Sequence, residues 1–319
     1  MKKHVRTTLT RRGLAGLAAG VGIAVALAAC SGSDPVIPPT TSVGNGGTAG
    51  GSLVVGSADF PESQIVAEIY AGALTAAGVT ATTKPSIGSR EIAFTAVQDG
   101  SVDLVPDYSG NLLSQVDPEA SEVSADDIYK ALPGKLPDGM GVLDASKAES
   151  KDALVVTKAT AEKHQLKSIE DLAKVCKELT LAAPATFEAR AYGLPGLKAN
   201  YGCEPKELKP FSDGGGNLTL MALLTDDVQV ADIYTTTPSI ADNDLVVLED
   251  PKNNFKAQQV LPLYNEAKMT DKAKEALNTV SRNLTTDDLV NLNRAVSGSQ
   301  KQNAQDAAAA WLKDKGIVK

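Results

Sequence analysis

Side chains able to do chemistry are sparse in this chain of 319 residues, and they do not cluster. Its two histidines are His4 and His164, and His164 lies in a polar helical stretch between Lys163 and Gln165, the setting of a solvated side chain rather than a base or metal ligand. No His, Cys and Glu spacing fits zinc, no Gly-x-Ser-x-Gly turn presents a nucleophile, and no Gly-rich loop ends in the Lys and Ser or Thr that cradle phosphate. Asp126-Asp127 and Asp287-Asp288 sit at helix starts, where carboxylates offset free amides. Asp213-Gly214-Gly215-Gly216 opens a helix and reads either as a tight loop or as an amide cradle for an anion. These patterns predict no enzymatic activity, no metal and no cofactor. Aromatic residues make up only 4% of the chain. Tyr108 and Tyr234 are therefore informative, because each closes a run with the character of a buried strand.

One cysteine has a chemistry set by its neighbours. Lys2, Lys3, Arg6, Arg11 and Arg12 make a cationic start, an apolar run follows from Leu14 to Ala29, and Leu27-Ala28-Ala29-Cys30 ends it. The run is interrupted by Gly16, Gly20 and Gly22 and is short for a membrane span, so residues 1–29 read as a signal peptide closing on a lipobox. Cys30 would then start the mature chain and carry lipid on its thiol, anchoring the protein on the extracytoplasmic face of the cell membrane. An uncleaved anchor is the alternative, and Thr10-Arg11-Arg12 leaves open whether export uses a twin-arginine route. Residues 31–51 are Gly, Ser, Thr and Pro with little to bury, a disordered tether that contributes no core. With Cys30 lipidated, Cys176 and Cys203 remain, an even pair in an oxidising compartment, which reads as a disulfide or as two separate buried thiols. The net charge is −8, and the export segment holds five of the 31 basic residues and none of the 39 acidic ones. Such an acidic mature chain is no partner for nucleic acid.

The elements that must position the tyrosines follow from periodicity. Leu53 to Gly56 predicts a buried strand, Pro61 to Gly78 a helix with apolar residues three and four apart, and Val79 to Lys84 a second strand. A second helix spans Arg90 to Gln98, Asp99-Gly100 turns the chain, and Val102 to Val105 continues as a third strand to Tyr108. The middle of the chain repeats this: strands at Leu179 to Ala182, Leu208 to Phe211 and Val228 to Tyr234, with helices at Phe187 to Tyr201 and Leu218 to Leu224. Each βαβαβ unit implies a parallel sheet covered by helices, and two units imply two lobes. Ligands of such sheets bind beyond the carboxyl ends of the strands, where both phenols sit. The last helices, including one capped at Thr285-Thr286-Asp287-Asp288, read as packing elements of the first lobe.

Taken in order, the motifs resemble one family. Gly56-Ser57-Ala58-Asp59-Phe60-Pro61-Glu62-Ser63-Gln64, Gly88-Ser89-Arg90, Gly100-Ser101-Val102-Asp103-Leu104 with Asp107-Tyr108-Ser109-Gly110, and Leu166 to Leu172 are similar to the glycine betaine, choline and carnitine type substrate-binding proteins of ABC transporters. Asn200-Tyr201-Gly202, Asp232-Ile233-Tyr234-Thr235-Thr236 and Leu284 to Leu289 with Leu292-Asn293 extend the resemblance over essentially all of residues 52–319. It implies a bilobal α/β fold of the type II periplasmic-binding-protein kind, two parallel-sheet lobes joined by a hinge. The first lobe would comprise residues 52–153 and 237–319, and the second residues 154–236. The chain would cross near Ala153 to Thr157 and near Thr235 to Ser239. The implied role is capture of an osmoprotectant and delivery to a membrane permease, without turnover.

Family members hold a quaternary ammonium head in a box of tyrosines, because a cation with no N–H to donate is best met by ring faces. Two box positions fall on Tyr108 and Tyr234. The other two fall on Asp152 and Leu194, with Tyr192 two residues away. Asp152 either neutralises a cation or lies outside the pocket. Arg190, Ser109 and Thr235 are candidates for a ligand's carboxylate end, with a solvated helix face as the alternative for Arg190. The departures at Asp152 and Leu194 leave room for a different small polar or aromatic solute. A secreted enzyme is the remaining alternative.

Overall fold

The computed structural model describes residues 51–298 and 300–319, so the expected signal peptide, Cys30 and the tether up to residue 50 lie outside the described residues. Beginning at Leu53, the chain builds β1 (Leu53–Gly56), α1 (Pro61–Ala76), β2 (Ala81–Lys84), α2 (Arg90–Gln98) and β3 (Leu104–Tyr108). Pro61 takes the first helical position of α1, where its missing N–H has no partner to lose. Ile65, Val66, Ile69, Tyr70 and Leu74 are all buried, because α1 is sandwiched between the sheet and the C-terminal helices. The chain continues through α3 (Ser109–Val116), α4 (Ala125–Ala131) and β4 (Met140–Val142) before leaving this sheet.

The second module contains β5 (Leu154–Val156), α5 (Lys158–His164), α6 (Ile169–Val175), β6 (Thr180–Ala183) and α7 (Leu194–Gly196). It goes on with β7 (Glu207–Pro210), α8 (Asn217–Leu224), β8 (Val230–Asp232), α9 (Ser239–Asp242) and β9 (Val246–Val247). The helix expected from Phe187 to Tyr201 is broken. A 3-10 turn at Ala185–Glu188, the single turn of α7 and a π turn at Leu197–Tyr201 replace it. Pro195 cannot donate within a continuing helix, and the Phe187 carbonyl lies where a Cβ on Gly193 would fall, so the chain folds back instead. Finally β10 (Val260–Asn265), α10 (Asp271–Asn283), α11 (Thr286–Ser297) and α12 (Ala304–Asp314) return to the first lobe. A reciprocal capping box between Thr285 and Asp288 starts α11, as its sequence predicts.

Two five-stranded sheets result, in the orders β2-β1-β3-β10-β4 and β7-β6-β8-β5-β9. Their first three strands run parallel, and the fourth in each, β10 or β5, is antiparallel to its neighbours. The sheets are thus mixed rather than wholly parallel, because each receives one strand from a segment that crosses between lobes. Alternate strand residues feed cores on both faces of each sheet: Val55 and Leu104 on one side of the first, Val54 and Val105 on the other. No helix among the described residues is long and apolar enough to cross a membrane.

Two crossing segments run side by side. Glu149 bridges Gln259, and Ser150 donates its backbone N–H to the Gln258 carbonyl at 3.1 Å. The first crossing lies just ahead of the expected Ala153 to Thr157. The second falls at residues 257–259 rather than Thr235 to Ser239: β9 still pairs with β5, so residues 246–247 belong to the second sheet. The 235–239 segment does touch first-lobe side chains, but the chain then turns back.

Cys176 and Cys203 are bonded, with Cα atoms 5.4 Å apart, inside the apolar core that includes Leu172, Leu179 and Leu197. Their 27-residue separation makes the loop-closure contribution substantial. Replacing both by serine should lower stability by about 3 kcal/mol in a urea titration; an unchanged midpoint would show that the bond contributes nothing.

Candidate functional site

A cavity of about 130 Å³ opens between the sheets at the carboxyl ends of β1, β3, β6 and β8. Its wall is aromatic. Phe60, in the extended residue before α1, stands between the two strand-end tyrosines, 6.0 Å from the Tyr108 ring and 5.4 Å from the Tyr234 ring between centroids. Phe60 falls within the Gly56 to Gln64 motif, where no expectation from sequence gives it a role. The usable signal was an aromatic directly after a buried strand, at the same carboxyl end that singles out the tyrosines.

Each wall residue is held from behind. The buried Tyr108 hydroxyl donates to Glu62 Oε1 at 2.7 Å, and Glu62 Oε2 accepts from Thr236 Oγ1 at 2.5 Å and from Asn293 Nδ2 at 2.6 Å. The Ser150 hydroxyl donates to Thr236 Oγ1 at 2.9 Å, which closes the network on the crossing segment. Burial and the Glu62 charge push the Tyr108 phenol well above its ordinary value, so it stays a donor. Behind Tyr234 and Phe60 runs the glycine loop. A Cβ on Gly214 would lie 2.8 Å from Phe60 Cβ, and its φ of +58° already favours glycine. Asp213 accepts from the backbone N–H groups of Leu218 at 2.6 Å and Thr219 at 3.2 Å. The start of α8 is therefore occupied by the chain's own carboxylate, which selects the tight-loop reading over the anion cradle.

The polar side of the cavity is built differently from the expectation. Asp152 is 2% exposed and lines the cavity; its Oδ2 accepts from Asn111 Nδ2 at 2.8 Å, and its Oδ1 has no partner among the described residues. The amide of Asn111 is oriented by Gln258, whose Nε2 donates to Asn111 Oδ1. Tyr192 is buried against Phe187 and Phe255 at edge-to-face angles, and its hydroxyl also lacks a partner among the described residues. Leu194 packs against the second lobe's core and does not line the cavity.

Arg190 lines the cavity but is committed. Its Nε donates to Glu91 Oε1 at 2.9 Å and its Nη2 to Oε2 at 3.4 Å, which links the segment after β6 to α2 of the other lobe. Arg90, another lining residue, donates through Nη1 to Gln115, and its Nε lies 3.5 Å from Asp107 without completing a hydrogen bond among the described residues. Both guanidinium groups thus already have a carboxylate neighbour, whereas Asp152 makes no ion pair among the described residues. Ser109 and Thr235 do not line the cavity. The Ser109 hydroxyl accepts from the Gln259 N–H at 3.0 Å, and the exposed Thr235 hydroxyl accepts from the Lys151 N–H at 3.1 Å, so both fasten the crossing segments. Among the described residues no three metal-ligating side chains come together.

Comparison with known proteins agrees with this architecture. Residues 51–314 match the family described as the substrate binding domain of ABC-type glycine betaine transport systems. The chain belongs to that family. It is 27% identical over 285 residues to the glycine betaine-binding protein YehZ of Escherichia coli K12, covering 85% of this chain and 93% of YehZ. It is 24% identical to the carnitine transport binding protein OpuCC of Listeria monocytogenes, over 81% of this chain and 85% of that one. Among solved structures, a glycine betaine/carnitine/choline ABC transporter protein superposes with a TM-score of 0.65 at 24% identity, over 83% of this chain and 99% of that one. The lactococcal OpuAC closed on glycine betaine does so at 0.60 and 16%, covering 83% and 96%. These structures share the two-lobed α/β fold found here.

The clasp between Arg190 and Glu91 titrates. Burial alone would raise the Glu91 pKa, but the hydrogen bond and charge of Arg190 outweigh it and bring the carboxyl down to about 2. A depressed acid contributes stability above its ordinary range and loses it as pH falls towards the folded value. Glu91→Gln should therefore melt below the wild type at neutral pH, by less than about 1 kcal/mol because Glu91 is partly exposed. The gap should close as the pH approaches 2 in thermal melts, and a gap independent of pH would rule out the ion pair as its source.

Proposed function

We propose that this substrate-binding protein captures a compact organic cation of the quaternary-ammonium class and presents it, unaltered, to an ABC permease. The observation that carries this reading is the three-ring wall of Phe60, Tyr108 and Tyr234 facing a buried Asp152 that makes no ion pair among the described residues. A quaternary ammonium group cannot donate hydrogen bonds, so in a dry cleft it is stabilised by ring faces and by uncancelled negative charge. The names of the relatives support the ligand class, and the two crossing segments support a hinge that closes over it.

The same residues favour a cation without its own carboxylate. Arg190 is engaged by Glu91 and Arg90 lies beside Asp107, so a carboxylate end would have to compete with these acids, while Asp152 would repel it. Choline, whose hydroxyl can donate to Asp152 Oδ1, fits better than glycine betaine. The reading extends to the membrane through a lipid on Cys30, which tethers the binding lobes beside the permease.

Isothermal titration with choline and glycine betaine tests the ligand. Choline should bind more tightly, and Tyr234→Ala should weaken it by roughly thirtyfold, the loss of a desolvated cation–ring contact of about 2 kcal/mol. If neither compound binds, or if Tyr234→Ala binds as the wild type does, the wall is not the site. Recovery of choline unchanged after long incubation is expected, and any product would make the protein an enzyme. For the anchor, Cys30→Ala should shift the protein from the membrane fraction to the soluble one with its melting temperature unaltered; retention in the membrane would contradict the lipid.

A further inference from the structure

Asp232, the last residue of β8, is 2% exposed, and neither of its carboxyl oxygens has a hydrogen-bond partner among the described residues. Its strand pairing explains where it points. Asp232 is opposite Leu154 in the antiparallel β5 and β8 pair, and the Ile233 N–H reaches the Ala153 carbonyl at 3.0 Å, so the pairing runs on past the strand ends. Successive strand residues alternate between faces, which puts Asp152, Leu154, Asp232 and Tyr234 on one face, with the two aspartates as diagonal neighbours. Their carboxyls come within hydrogen-bonding reach of each other. Among the described residues three of their four oxygens complete no hydrogen bond, although the Ala153 N–H lies near Asp232, and two ionised carboxylates, which only accept, would be left against each other without a proton between them.

We propose that Asp152 and Asp232 share one proton in the ligand-free protein, and that entry of a cation against Asp152 expels it. The empty pair carries one proton and one negative charge. When the cation arrives, the proton leaves for bulk water, both carboxylates are ionised, and the buried cluster keeps the same net charge. Exchanging one positive charge for another avoids the cost of adding charge to a desolvated site. Asp232 does not line the cavity, so it is a positioning residue that acts through Asp152. The groups facing the pair are Asn111 from α3, Tyr192 and Arg190 from the segment after β6, and Tyr234 beyond β8. Among these Arg190 is the one cation, and Glu91 already engages it. Burial first, and the Asp152 charge second, push the Asp232 carboxyl well above its ordinary range, in keeping with a retained proton.

This inference rests on the cation reading of the cleft, and two measurements separate their failures. The first is infrared difference spectroscopy of ligand-free wild type against Asp232→Asn near neutral pH. A protonated-carboxyl band present in the wild type and missing from the variant supports the shared proton. Because the difference isolates the pair from Asp107, which burial also pushes up, no such band would overturn the proposal whatever the ligand. The second is titration with choline in buffers of different ionisation enthalpy. The wild type should release about one proton per choline, and its affinity should rise by up to tenfold per pH unit until the pair titrates. In Asp232→Asn the amide can donate to Asp152, so binding should persist without proton release or pH dependence. Choline binding to the wild type with no proton released would overturn the exchange. Failure of choline to bind would sink the cation reading and the exchange with it, while the infrared band would still decide whether the proton is shared.

Discussion

One buried carboxylate organises the cleft. Glu62 sits in the first turn of α1, 4% exposed, and is surrounded by neutral donors: the Tyr108 phenol, the Thr236 hydroxyl and the Asn293 amide. A buried charge is tolerated only when its acceptor sites are filled, so these three groups have little freedom to leave. They come from β3, from the segment after β8 and from α11, and through Ser150 the network also reaches the crossing chain. The carboxylate thereby sets the Tyr108 ring from behind, and it ties the loop bearing Tyr234 to the first lobe. Phe60 precedes α1 by one residue and is placed by the same helix start.

The remaining contacts divide the labour between the lobes. The parallel modules bring three strand ends to a common edge, and the crossing strands β5 and β10 turn the two edges towards each other. Ser109, Thr235, Gln258 and Glu149 spend their polar atoms on holding those crossings together, and the charged residues of the cavity wall are a different set, Asp59, Arg90, Asp152 and Arg190. These are unequal. The guanidinium groups of Arg190 and Arg90 have acidic partners, and the carboxyl of Asp152 has an amide. Two aspartates and two arginines thus line the cleft, and Asp152 is the buried carboxylate among them that makes no ion pair among the described residues.

Much of this was legible before any coordinates. Ser89 before α2 and Asp99-Gly100 after it delimit that helix, and its observed span, Arg90–Gln98, is the predicted one. The capping box of α11 and the proline start of α1 are local signals of the same kind. Parallel modules are read easily because each strand and helix is contiguous in sequence. The antiparallel β5 and β10 are not, since nothing local in Leu154–Val156 or Val260–Asn265 says which sheet each will join. The break in the expected Phe187 to Tyr201 helix carried a visible warning in Pro195. At the site, Tyr108, Tyr234, Asp152, Arg190 and Tyr192 come together around one cavity as candidates, while Ser109 and Thr235 fall away because backbone amides claim their hydroxyls. Asp232 was hidden for a different reason: a lone acid ending a buried strand gives no sign in sequence that a second acid lies diagonally across from it.

A crystal structure grown with saturating choline tests most directly whether a cation is held among three rings and one carboxylate. The trimethylammonium group should lie within about 6 Å of the Phe60, Tyr108 and Tyr234 ring centroids, with the choline hydroxyl on Asp152 Oδ1. Choline bound elsewhere, or turned with its hydroxyl towards the rings and its charge away from Asp152, would contradict that placement.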